Sequence, residues 1–344
     1  MTSNHATTVT RHTLSTDRHT TSYLAAGPES GPLMIFVHGW PELAHSWRHQ
    51  LPVFGALGFR CIAPDLRGYG ESSVYDKHED YAQEHVVADM CELHDALGGE
   101  PAIWVGHDWG SPTVWLIASI YPERCKAVAN LCVPHGTLIN VGGRTMADLI
   151  DRDLYPAEEF PAGQWEYQVF YVENFDAAVQ GLAGNIENTV KAVFRRGDPK
   201  HLGKPARTAY VRKNGGWFGP GMPAPEMPAD HAVLTDEDVQ TYTASLSRNG
   251  FFGPCSYYMN HPANGTYALK SPTGCRLSMP VLFMHARYDT TCLTLDTALS
   301  EPMRELCANL TEAVVDSGHW MAQEKPVDVN HTLAMWLGSK VMCE

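Results

Sequence analysis

The segment Gly106-His107-Asp108-Trp109-Gly110 constrains this chain more than any other. One apolar run, Ala102-Ile103-Trp104-Val105, leads into it, and a second, Val114-Trp115-Leu116-Ile117-Ala118, follows. The first has the length of a buried strand and the second begins a helix, so the pentapeptide reads as a tight strand–turn–helix corner. Glycines at both ends let the backbone pass through conformations closed to other residues. The spacing is that of a Gly-x-nucleophile-x-Gly corner, whose centre usually holds serine. Here Asp108 stands there, at the start of a helix, where unpaired N–H groups and the helix dipole favour negative charge. Gly110 and Ser111 are small enough for close packing. Pro112 falls in the first helical turn, where a missing N–H costs little.

An aspartate at the corner changes the chemistry. A carboxyl group with a pKa of about 3.9 is ionised at neutral pH without a helper base. Serine needs a histidine to take its proton. A serine attacking an epoxide carbon would form an ether, which activated water does not readily cleave. A carboxylate forms an ester, and water can attack its carbonyl. Asp108 therefore points to carbon electrophiles, an epoxide or an alkyl halide, rather than to carboxylic esters. For the pentapeptide alone, a chance Gly-x-Asp-x-Gly turn stays open.

Two further motifs precede it. Leu33-Met34-Ile35-Phe36-Val37 is a short apolar strand ending in His38-Gly39-Trp40-Pro41-Glu42. Phe59-Arg60-Cys61-Ile62-Ala63-Pro64 is another strand, followed by the Gly-rich turn Asp65-Leu66-Arg67-Gly68-Tyr69-Gly70-Glu71-Ser72. Taken in this order, His38–Glu42, Asp65–Ser72 and Gly106–Gly110 resemble the soluble epoxide hydrolases of the α/β-hydrolase superfamily. The resemblance runs from about Leu33 to Leu337. Asp108 followed by Trp109 narrows it to epoxide hydrolases and haloalkane dehalogenases. It implies an α/β-hydrolase fold, an eight-stranded and mostly parallel sheet flanked by helices, with a helical cap inserted after the sixth strand. Residues 1–134 and 273–344 would form the core and 135–272 the cap. Between Pro134 and about Ser271 the strand pattern does stop, and a Gly/Pro-rich stretch from Gly215 to Pro228 reads as loop.

The resemblance also implies roles. Asp108 would be the nucleophile, and the backbone N–H groups of Trp40 and Trp109 would bind an oxyanion. Acid and base should follow in that order. Pro280-Val281-Leu282-Phe283-Met284-His285 reads as a strand with Asp289 just past its end. Leu310-Thr311-Glu312-Ala313-Val314-Val315 reads as the next, followed by Asp316-Ser317-Gly318-His319-Trp320. His319 resembles the family's base and Asp289 its orienting acid, with Asp316 as rival. Two cap tyrosines are expected to donate to the epoxide oxygen: Tyr167, in Tyr167-Gln168-Val169-Phe170-Tyr171, and Tyr258, in Tyr257-Tyr258-Met259-Asn260. Tyr171 lies one helical turn beyond Tyr167 and competes with it, as Tyr257 does with Tyr258.

Composition removes other classes. A formal net charge of -14 argues against nucleic-acid or anionic-membrane partners. No stretch is long and apolar enough to span a bilayer. The start, Met1-Thr2-Ser3-Asn4-His5-Ala6-Thr7-Thr8, has no basic or apolar region of a secretory signal. Nine cysteines without a Cys-x-x-Cys fit free thiols and a cytoplasmic location. His45 and His49 are four apart but lack the glutamate of a zinc motif, so no metal is expected. Gly68-Tyr69-Gly70-Glu71 lacks the rest of a dinucleotide fingerprint, so no cofactor is implied. Some mammalian members of the resembled family carry an additional N-terminal phosphatase domain, which is not expected in this sequence. The expected substrate is a small epoxide. The alternatives are a haloalkane dehalogenase using the same aspartate and a catalytically silent hydrolase fold serving as a receptor.

Overall fold

The structure is a computed structural model that describes residues 8–136 and 145–342. The ends of the chain and residues 137–144, which begin the segment assigned to the cap, lie outside the described residues. Eight strands form one sheet: β1 (Thr10–Ser15), β2 (Thr20–Ala26), β3 (Leu33–Val37), β4 (Arg60–Pro64), β5 (Ala102–His107), β6 (Cys125–Leu131), β7 (Leu277–Ala286) and β8 (Cys307–Val315). Their spatial order is β1-β2-β4-β3-β5-β6-β7-β8. Only β2 runs against its neighbours, pairing antiparallel with β1 and β4. All other pairings are parallel.

The apolar runs in the sequence follow from this arrangement. β3 and β5 are buried along their whole length, because parallel strands are covered on both faces. Alternate residues feed two cores. Ile35 and Val37 point to one, with Val86, Met90 and Leu93 of the helix Gln83–Ala96 and Val114 and Ile117 of the helix Gly110–Ile120. Met34 and Phe36 point to the other, with Phe54 of the helix Leu51–Ala56 and Leu333 and Trp336 of the helix Pro326–Trp336.

Between β6 and β7 the described residues contain helices and no strand. The longer ones are Glu166–Glu173, Phe175–Ala183, Ile186–Val193, Asp236–Asn249 and His261–Ala268. Residues 215–228 contain neither helix nor strand. Tyr171, Phe194, Tyr242 and Tyr257 of this segment belong to the same apolar cluster as Ile35 and Val37, so it packs onto the core. No helix among the described residues is long and apolar enough to cross a membrane.

Because β3, β5, β7 and β8 run parallel, the loops that follow them emerge at one edge of the sheet. Ligands of open α/β sheets bind at this carboxyl edge. The corner after β5 is drawn tightly against β3. A Cβ on Gly110 would lie 2.1 Å from the carbonyl oxygen of Val37, and one on Gly106 would lie 2.2 Å from Asn130 Oδ1. Neither position has room for a side chain, so the corner closes onto β3 and β6 only with glycine at both ends.

Candidate active site

Asp108 occupies the turn between β5 and the helix Gly110–Ile120, with φ at 48°. Few residues other than glycine take this conformation, and an aspartate pays a smaller penalty than most. The turn lifts the carboxylate off the end of the strand. Its Oδ1 accepts a bond of 2.6 Å from the Trp40 N–H. Gly39 passes so close that a Cβ there would lie 2.5 Å from Asp108 Oδ1 and 2.6 Å from the backbone nitrogen of Trp109. The N–H groups of Trp40 and Trp109, nominated from the sequence, thus belong to two segments that meet at this carboxylate.

His319 follows β8 and Asp289 follows β7, which are neighbouring strands. His319 Nδ1–H donates to Asp289 Oδ2 at 2.6 Å, and Nε2 stands 3.4 Å from Asp108 Oδ2. The other oxygen of Asp289 accepts the N–H groups of Thr291 and Cys292, each at 3.0 Å. Burial opposes the charge of Asp289, but His319 and these two N–H groups outweigh it and hold the carboxyl below its usual range. Burial likewise disfavours a charged His319, yet Asp289 and Asp108 together hold its pKa well above that of free histidine. Asp108 is also held low against its burial, by His319, His107 and the Trp40 N–H. The rival acid, Asp316, pairs with Arg287 instead.

A cavity of about 530 Å³ opens above these groups, lined by Asp108, Trp40, Trp109, His319, Tyr167 and Tyr258 among others. The rings of Tyr167 and Tyr258 lie 5.4 Å apart. Burial raises both phenol pKa values, so both stay protonated donors. Their competitors do not line this cavity. Tyr171 Oη accepts the Trp217 indole N–H at 2.7 Å, and Tyr257 O–H donates to the Arg67 carbonyl at 3.0 Å.

The loops are held by a set of buried groups that the sequence reading did not single out. Glu42 Oε2 accepts the Gly39 N–H at 2.8 Å and His107 Nδ1–H at 2.7 Å. His107 Nε2–H donates to the carbonyl of His319 at 2.8 Å. A carboxylate and a carbonyl can only accept, so both ring nitrogens of His107 carry hydrogen and the ring is an imidazolium. Burial works against that charge, but Glu42 outweighs it and raises the pKa well above the usual value. Gln323 Nε2–H donates to the other Glu42 oxygen at 3.2 Å. His38 is the opposite case. Its Nε2 accepts the Leu66 N–H at 3.0 Å while Nδ1–H donates to the Gly39 carbonyl at 2.9 Å, which describes a neutral ring, and burial lowers its pKa. Glu42, His107 and His38 all lie inside the quoted motifs. Charged residues in stretches that pattern as buried were the available signal, but their partners come from elsewhere in the chain.

His107, Cys132 and His319 place ligating atoms within 4.8 Å of one another. The donors are spoken for: both His107 nitrogens and His319 Nδ1 make the bonds just described, and Cys132 Sγ–H donates to the His319 carbonyl at 3.2 Å. The cluster therefore serves to pin His319. His45, part of the discarded zinc pair, bonds Asp238. The eight cysteines among the described residues are free thiols.

The signature of the alpha/beta hydrolase fold family matches residues 32–326. Epoxide hydrolase B of Mycobacterium tuberculosis is 31% identical over 335 residues, covering 90% of this chain and 92% of the relative. The chain belongs to the epoxide hydrolases of the alpha/beta hydrolase fold family. It is also similar to bifunctional epoxide hydrolase 2 of Sus scrofa, 34% identical over 310 residues, and spans about half the length (52%) of that relative. Among solved structures, epoxide hydrolase A of Mycobacterium thermoresistibile superposes with a TM-score of 0.78 at 29% identity, covering 97% of this chain and 99% of that one.

The Glu42–His107 pair sets a test of this arrangement. Breaking a buried ion pair by removing one partner typically costs about 3–5 kcal/mol, because the other charge is left uncompensated. Glu42→Gln is expected to lower stability by that order. The double variant Glu42→Gln/His107→Gln should lose much less than the sum of the two single changes. Chemical unfolding of the four proteins measures this, and additive losses would show that the two residues do not act as a pair.

Proposed function

We propose that this chain hydrolyses epoxides to vicinal diols through a covalent ester on Asp108. The observation that carries the reading is an ionised carboxylate in a strained corner, sharing one cavity with two protonated phenols and a His319–Asp289 pair. The names of the relatives support the substrate class.

In the first step Asp108 attacks a ring carbon and the C–O bond breaks. Tyr167 and Tyr258 donate to the departing oxygen, and one of them supplies the proton that makes it a hydroxyl. In the second step His319, oriented by Asp289, takes a proton from water, and the resulting hydroxide attacks the ester carbonyl. The N–H groups of Trp40 and Trp109 hold the oxyanion, as the present bond from Trp40 to Asp108 Oδ1 anticipates. Collapse releases the diol and restores the carboxylate. In this reading residues 135–272 are the cap that brings the phenols over the core.

The electrostatics order the two steps. In the resting site His319 is held protonated by two carboxylates. Alkylation makes Asp108 neutral and removes one of them. The pKa of His319 then falls, and its proton goes to restore the phenol that protonated the leaving oxygen. The imidazole becomes a base only after the ester has formed, and the proton it takes from water returns it to the resting imidazolium.

The haloalkane dehalogenase reading needs side-chain N–H donors around a halide. A pair of phenols in the cavity suits an oxygen leaving group instead. Styrene oxide and 1-bromobutane separate the readings: the diol should form from the first, and no butanol from the second. Butanol alone would mean a dehalogenase, and no turnover of either would favour a receptor.

Loss of one donor to a developing oxyanion typically costs on the order of 10²-fold in rate. Tyr167→Phe and Tyr258→Phe should each lower kcat by up to this amount, with little loss of stability, and the double change should nearly abolish turnover. Equal damage from Tyr171→Phe or Tyr257→Phe would move the assignment to those residues.

His319→Gln should form the ester but not hydrolyse it. Mass spectrometry after exposure to an epoxide should show one added substrate mass on the peptide that holds Asp108. In the unmodified enzyme, single-turnover hydrolysis should fall as pH drops through the His319 pKa of the ester form, while ester formation persists to lower pH. A common pKa for both steps would contradict the proposed order.

A further inference from the structure

A chain of buried hydrogen bonds runs from the helix Asp236–Asn249 to the loops of Trp40 and His319, and Gln323 is its central link. Gln323 is buried in the short helix Met321–Glu324, just beyond His319. Its Oε1 accepts Arg48 Nη1–H at 2.9 Å and the Tyr242 O–H at 3.1 Å. Its Nε2–H donates to Glu42 Oε1 at 3.2 Å. Only one orientation of the amide fits these neighbours. A guanidinium can only donate and a carboxylate can only accept, so the amide oxygen faces Arg48 and the nitrogen faces Glu42.

Both donors to Gln323 are tied to the helix Asp236–Asn249. Tyr242 is part of it. Because Tyr242 gives its hydrogen to Gln323, its oxygen accepts Ser46 Oγ–H at 2.7 Å. Arg48 Nε stands 2.9 Å from Asp238 Oδ1, and its Nη2–H donates to the Val233 carbonyl just before the helix at 3.0 Å. His45 Nε2–H donates to the same Asp238 oxygen at 2.6 Å. Burial opposes the charge of Asp238, but His45, the Thr235 N–H and Arg48 outweigh it and hold the carboxyl well below its ordinary range. The helix is thus anchored on Arg48 by a full charge, and Arg48 passes that anchorage to Gln323. On the other side of the amide stands Glu42, which holds the Gly39 N–H and His107.

We infer that Gln323 is a positioning residue for ester hydrolysis, through which Tyr242 and Arg48 hold Glu42 in place. The inference rests on the two-step covalent route and adds to it a contribution from the helix Asp236–Asn249. Glu42 fixes the loop of the Trp40 N–H and, through His107, the loop of His319. Those two groups serve the second step. The first step draws on the Asp108 carboxylate and the two phenols, none of which bonds Gln323. Loss of the amide donor therefore falls on the second step.

Gln323→Glu tests this with almost no change in shape. It keeps an acceptor for Arg48 and Tyr242 and replaces the donor to Glu42 by an oxygen, and the neighbouring Arg48 favours the ionised form. Tyr242→Phe removes one of the two donors that orient the amide, and it carries the test should Gln323→Glu fail to fold. Rapid quenching with styrene oxide, read by mass spectrometry of the Asp108 peptide, gives separate rate constants for ester formation and ester loss. Partial unfolding lowers the amplitude of both steps but changes neither rate constant. A hydrogen bond to a charged group is commonly strong enough for about a tenfold change. Gln323→Glu should slow ester loss by about that factor and ester formation by much less. Tyr242→Phe should move the ratio of the two rate constants in the same direction by a smaller factor. A ratio equal to that of the wild type in every variant that folds would overturn the inference. Diol formation with no ester on Asp108 in any of the three proteins would instead count against the covalent route itself.

Discussion

The site depends on one buried ion pair, Glu42 with His107. Each member reaches a different part of the machinery. Glu42 takes the Gly39 N–H and so fixes the loop that presents the Trp40 N–H. His107 takes hold of the His319 carbonyl and so fixes the loop after β8. His107 also stands directly before Asp108 in sequence, and its positive charge helps to keep that carboxylate ionised. A charge pair in the interior is costly to desolvate and is tolerated only when its remaining lone pairs and hydrogens are satisfied. Here they are satisfied by the backbone of the two loops and by Gln323. Desolvation and loop geometry are thus coupled: the charges stay buried only if the loops are in place.

Around this pair the rest of the fold acts as a frame. Parallel strands bring the ends of β3, β5, β7 and β8 to one edge, and each end contributes to the site. The helical segment between β6 and β7 closes over them. Its contacts with the loop of His319 are direct: Trp320 Nε1–H donates to the Val193 carbonyl at 2.9 Å, and Glu324 accepts N–H groups from both Gly197 and Gly318. Gly197 and Gly318 approach so closely that a Cβ on Gly197 would lie 2.4 Å from the Gly318 nitrogen. The phenols are therefore positioned against the same loop that holds His319.

How much of this the sequence revealed depends on how local each signal is. The corner at Asp108 was legible because glycine spacing, a buried strand and a helix start fall within a few residues. β3, β4 and β5 were legible as short apolar runs. β1 is an exposed edge strand with a polar sequence, Thr-Arg-His-Thr-Leu-Ser, and β6 is built of small residues around Asn130, so neither gave an apolar run. Asp289 was preferred to Asp316 because acid and base come from different strand ends, but the contacts that distinguish them, with His319 and with Arg287, are not local in the sequence. The same holds for Tyr167 against Tyr171, of which Tyr167 lines the cavity with Asp108 and Tyr171 does not. Glu42 and His107 were in plain view, but their meaning needs Gln323, which stands 281 residues beyond Glu42 in the chain.

The covalent route requires that Asp108 itself bonds to substrate carbon. A single turnover in ¹⁸O-water tests this most directly. If Asp108 is the nucleophile, the new oxygen of the first diol comes from the protein and is unlabelled, and the label is found in the carboxylate of Asp108. A labelled diol from the first turnover, with no label in Asp108, would show that water attacks the epoxide directly and would contradict the covalent route.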